Sequence, residues 1–193
     1  MITTTKYLRK LEEKNKKFAK ANKAAKRVMI AKDVLEQLQA KRIVAKKGTY
    51  CTFKLNEVRT IKKSDNKSVR ENFHNGAITS CKTCGIGAIM LSTILFKNGI
   101  NVQHNIQFAS VWNDSDTDQQ ATALVLKYFD EQQLRLIEAA FECWSVRRFV
   151  NDQLLAEQAS NFGALFSSPT KRLKAIMENI IRNKGTFVPG DYK

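Results

Sequence analysis

The chain has 193 residues, a mass of 22.0 kDa, 43% hydrophobic residues and a formal net charge of +15. That length gives one domain, or one domain with an appended arm; no apolar run reaches the roughly 18 residues of a membrane span, and four Cys do not make a secreted disulfide scaffold. The charge is segregated, with 21 Lys and Arg against 7 Asp and Glu in residues 1–75, and 12 against 11 in the remainder.

A basic front joined to a balanced back predicts a surface that meets a polyanion and a separate part that makes the core. The basic N-terminus has no apolar segment after it and does not read as a secretory signal, so a soluble intracellular protein is expected.

Thr4 to Gln39 contains no Gly or Pro and is rich in Lys, Ala, Leu and Glu, which predicts helix. Tyr7, Leu11, Phe18, Ala21 and Ala25 fall near one face, interrupted by Lys14. Val28, Ala31, Val34, Leu35 and Leu38 make a firmer buried stripe, and a break is placed near Lys26 or Arg27. Residues 1–27 are thus expected to form a basic helical arm and 28–193 a single globular domain.

Ile43 to Leu55 reads as a β-hairpin, with β-branched and aromatic residues flanking Lys46-Lys47-Gly48. Asn56 to Thr79 is polar and reads as loop, with a short ordered piece around Val58 and Ile61. Ser80 to Lys97 reads as a buried central helix capped by Thr79 or Ser80 and ended by Asn98-Gly99. Alternation through Ile100, Val102, His104, Ile106 and Phe108 predicts a strand or an extended loop on the core.

Four further helices follow. One opens at Thr117-Asp118 and one is capped by Asp130; the third spans Val150 to Leu165, and the fourth runs from Ser168-Pro169 to Gly185. The expected fold is mainly α (α+β), a helical bundle with one small β-hairpin and a basic N-terminal helix.

Cys81-Lys82-Thr83-Cys84 is the first candidate for chemistry. Thiols at a helix start are activated by the helix dipole, but no apolar strand leads into this motif. Core burial is favoured for both Cys. A zinc site needs four ligands in two close pairs, and Cys51, His74, Cys143 and His104 are isolated, so zinc stays open as the weaker alternative. His74 and His104 read as a surface and a core histidine rather than catalytic bases.

Gly85-Ile86-Gly87 lacks the third glycine of a dinucleotide fingerprint. Asp114 to Asp118 begins like an EF-hand loop, but Gln119 and Val125 occupy the Gly and Glu positions. Ser168 to Arg172 could hold a phosphate, and an ordinary helix cap accounts for it better.

The basic front remains. Lys6, Arg9, Lys10, Lys14, Lys16, Lys17, Lys20, Lys23, Lys26 and Arg27 cluster in one segment, and Lys46, Lys47, Lys62, Lys63 and Lys67 form a second group. Neutralising phosphates with such residues releases counterions, which gives affinity without sequence choice. Anionic membrane fits less well, because the arm lacks a bulky apolar face.

Several stretches together resemble a family of small uncharacterised tailed-bacteriophage proteins. They are Ile30 to Leu35 with Gly48-Thr49-Tyr50, Cys81 to Ala88, Tyr128 to Glu142, Arg172 to Ile181, and Gly185 to Pro189. The resemblance starts at about Val28, leaves the basic arm outside, and carries no catalytic residue. It implies a phage protein in the host cytoplasm that acts on host defence or host machinery. The expectation is therefore a non-enzymatic accessory protein binding nucleic acid or a host nucleic-acid complex. The alternatives are an inhibitor docking on a host defence or regulatory protein, a binder of an anionic nucleotide, and a zinc or thiol protein using Cys81 and Cys84.

Overall fold

The helical run of the N-terminal segment breaks at Asn22 into two helices. The computed structural model describes residues 4–56, 68–97, 107–108, 116–143 and 153–192, with backbone alone for residues 4–11, 74, 107–108, 116–119 and 121. Helix α1 spans Thr4–Lys20 and α2 spans Lys23–Gln39. The Asn22 side chain accepts a hydrogen bond from Ala25 N at 2.8 Å and so satisfies a donor that helix initiation leaves free. The break thus falls about a turn before Lys26 and Arg27, where it was expected.

The second half of α1 is built into the core. Phe18 is 1% exposed, stacks on Phe96 and meets Tyr128 edge-on. Lys14, which interrupts the apolar stripe, turns to α2 and pairs with Asp33 (3.4 Å) and Glu36 (2.5 Å).

Among the described residues there are eight helices and a four-stranded sheet, a mainly α (α+β) fold. The strands are β1 (Ile43–Ala45), β2 (Cys51–Leu55), β3 (Ile78–Thr83) and β4 (Gln107–Phe108), in the order β1-β3-β2-β4. The expected hairpin is corrected here. Ile43–Ala45 and Cys51–Leu55 are both strands, but β3 lies between them, parallel to β1 and antiparallel to β2.

The reason lies in Ile78-Thr79-Ser80-Cys81-Lys82-Thr83, whose β-branched residues suit a pleated strand. Its inner face, Ile78, Cys81 and Thr83, is buried. Thr79 therefore does not cap a helix; its hydroxyl donates to Lys54 O at 3.0 Å. Between β2 and β3, α3 (Val69–His74) forms on a capping box made by Ser68 and Glu71.

Helix α4 (Gly85–Lys97) is the centre of the molecule, buried at every position from Gly85 to Phe96. Helices α1, α2, α3, α5 (Asp116–Leu126) and α6 (Glu131–Glu142) pack against it. Gly87 permits the closest approach: a Cβ there would collide with Tyr50 O and Thr83 Oγ1. Helices α7 (Gln153–Ala164) and α8 (Pro169–Arg182) complete the bundle, α7 against α6 and α8 against α2.

Asp130 and Ser168 cap α6 and α8 as expected, with Pro169 opening α8. The alternation from Ile100 to Phe108, including His104, lies outside the described residues except for β4. The piece around Val58 and Ile61 also lies outside them.

Candidate anion-binding surface

Helix α1 divides its lysines by face. Phe18 points inward, and Lys14, one turn earlier, follows it. Lys16, Lys17 and Lys20 lie on the other side and are exposed, together with Glu12 and Glu13. Lys23, the first residue of α2, is also exposed. None of these four ammonium groups is in an ion pair with a described residue. They surround the corner at Ala21-Asn22, where α1 turns into α2.

Two other cations of this segment, Lys14 and Lys26, are engaged. Burial pulls the Lys14 pKa down, but the hydrogen bond to Glu36 and the charges of Asp33 and Glu36 outweigh it and hold it above the ordinary lysine value. Lys26 Nζ stands 5.8 Å over the Phe18 ring, a cation–π contact. Arg27 is half-buried, and its Nε is enclosed without an acceptor among the described residues. Lys6, Arg9 and Lys10 lie on the first turns of α1, where the backbone alone is described.

Of the second basic group, Lys46 and Lys47 are among the described residues. Lys46 is exposed. Lys47 Nζ donates to Glu142 O at 2.6 Å, a cation against the carbonyl end of α6. The Glu142 carboxylate in turn accepts from Gly48 N at 3.0 Å. Burial raises the Glu142 pKa, opposed by that Gly48 hydrogen bond and by the Lys47 charge. Lys47 thus fastens the 46–50 loop to α6. Lys62, Lys63 and Lys67 lie outside the described residues.

Cys51, Cys81 and Cys84 come together in the core where β2, β3 and the start of α4 meet. Cys81 is on a strand and not at a helix start as expected; Cys84 immediately precedes α4. Burial pushes the Cys51 thiol well up, reinforced by its contact with Cys81. Burial also pushes Cys84 up to about 12, against the pull of the Gly87 and Ile86 N–H groups. Such thiols are neutral at physiological pH and poor nucleophiles. Among the described residues, no group of three or more His, Cys, Asp or Glu is arranged to hold a metal ion. His74 ends α3, where the backbone alone is described.

Sequence reasoning missed the acids that organise these cations. Asp33 is buried, accepting from Ser92 Oγ (3.0 Å) and Gln37 Nε2 (3.2 Å) as well as from Lys14. The signal was present, since Asp33 and Gln37 fall on the same helical stripe as Ile30 and Val34. Glu138 and Glu142 hold the loop through Tyr50 and Gly48, contacts between segments nearly a hundred residues apart that no local pattern reveals.

No family model, curated protein or solved structure matches the chain.

Proposed function

We propose that the protein is a binding protein that docks on nucleic acid, or on a host nucleic-acid complex, through the lysines at the α1–α2 corner. The observation that carries this reading is the set of exposed ammonium groups of Lys16, Lys17, Lys20 and Lys23, without ion-pair partners among the described residues. Unneutralised cations concentrated on one corner attract phosphates and release counterions on contact. The nearby aromatics Phe18 and Tyr128 are buried, so base stacking is not available to them. Exposed lysines recognise the phosphate backbone without sequence choice.

The burial of both thiols favours this reading over thiol chemistry at Cys81 and Cys84. The resemblance to phage accessory proteins supports a role in an infected bacterial cytoplasm, directed at host defence. Capture from host lysate, with and without nuclease, tests the proposal. Loss of captured material after nuclease supports nucleic acid. A host protein retained after nuclease, with no affinity for DNA or RNA at low salt, replaces it with direct docking on that protein.

A further inference from the structure

The end of α8 brings another cation beside the start of α2. Gly185 N donates to Ile180 O at 2.7 Å and Lys184 N to Ile181 O at 3.2 Å, closing the helix. Lys184 takes a φ of 52 and Gly185 a φ of 100. A left-handed position at a helix end favours Gly or Asn, and a lysine there is conformationally unfavourable. Lys184 is exposed and makes no ion pair with a described residue. Gly185 closes on the first turn of α2: a Cβ there would stand 2.6 Å from Ala24 O and 3.2 Å from Arg27 Cβ. Arg27 shares a helical face with Lys23, four residues earlier.

We infer that the anion-binding surface includes Lys184. The corner then collects cations from three elements: Lys16, Lys17 and Lys20 from α1, Lys23 from α2, and Lys184 from the end of α8. A single strip of helix could serve a short acidic peptide. Cations from three elements fit the phosphate backbone of a duplex lying across the corner. This inference rests on the nucleic-acid reading above.

Lys41 supplies an internal control. It has the same left-handed conformation, with φ 56, and is also exposed at a helix end. It stands at the opposite end of α2, roughly 25 Å from Lys23 at the helical rise. A favourable contact with the helix dipole applies to both lysines alike, so it does not distinguish them.

The experiment is fluorescence anisotropy on a fluorescein-labelled DNA duplex of mixed sequence, with the full chain as wild type, Lys184→Gly, Lys41→Gly and Lys20→Gln/Lys23→Gln. Both glycine variants are expected to keep or raise the thermal midpoint. Lys184→Gly should weaken binding about fivefold at low salt and reduce the log–log salt slope by about one, while Lys41→Gly leaves both near wild type. If Lys184→Gly binds like wild type while Lys20→Gln/Lys23→Gln is weakened, the inference is overturned and the nucleic-acid reading stands. Equal loss in both glycine variants also overturns it, since net charge alone then accounts for the effect. If the wild type does not bind the duplex, the reading and the inference fall together.

Discussion

The Phe18 ring lies parallel to that of Phe96, with centroids 4.4 Å apart and an interplanar angle of 8°. One ring belongs to the basic helix α1 and the other to the central helix α4, so the charged element is fixed to the core by an apolar contact. Phe18→Ala removes this stack and the edge-on packing with Tyr128 and should cost about 3–5 kcal/mol. Urea denaturation measures it. Deleting residues 1–23 would uncover Phe96 and Tyr128 and should destabilise comparably. A clean test of binding therefore requires substitutions rather than truncation.

Asp33 gives the pH dependence a direction. Burial raises its pKa, opposed by Lys14, Ser92 and Gln37. The folded protein therefore holds this proton more tightly than the unfolded chain. The Asp33 contribution falls as pH rises from the ordinary carboxyl range through the raised value, then stays level. Subtracting the stability of Asp33→Asn from that of the wild type across acid pH should give a difference that declines with pH. Lys14 acts at the other extreme: its contribution is complete below the ordinary lysine pKa and is lost as pH rises through its raised value. Asp33→Ala at neutral pH should cost about 1–3 kcal/mol, because it removes the buried acceptor of Gln37 and Ser92 while Lys14 keeps Glu36.

Gly87→Ala tests the contact between the 46–50 loop and α4. The added methyl would meet a backbone carbonyl at Tyr50, which cannot swing away as a flexible side chain could. A loss of about 4 kcal/mol or more is expected, read as a fall in the urea midpoint or in soluble yield.

The four free thiols should divide by accessibility. Cys143 is half-buried, whereas Cys51, Cys81 and Cys84 are 1%, 0% and 3% exposed. A water-soluble disulfide reagent should modify Cys143 first in the native protein and the other three on unfolding. Rapid modification of Cys84 in the native state would contradict its enclosure.

Sequence legibility followed local chemistry. Asp130 and Ser168-Pro169 announce helices because an N-cap acts within its own turn, and both helices start there. The capping box at Ser68 and Glu71 carried an equally local signal for α3 that the surrounding polar residues obscured. Strand β3 was hidden for a different reason. Ile78 to Thr83 runs directly into an apolar helix, and its partners Ile43 and Phe53 are contributed from far upstream. Short apolar runs do not distinguish strand from buried helix by periodicity. At the candidate site, the basic charge was visible in the composition. The division into exposed and engaged lysines was not, because it depends on Asp33, Glu36 and Glu142 reaching across the fold.

The most direct test of the corner is the salt dependence of duplex binding by the wild type and by a Lys16→Gln/Lys17→Gln/Lys20→Gln/Lys23→Gln variant of unchanged thermal midpoint. Log affinity should fall linearly with log salt, and the slope should shrink by about three to four in the variant, roughly 0.9 for each phosphate no longer neutralised. An unchanged slope and affinity in the variant would contradict the account.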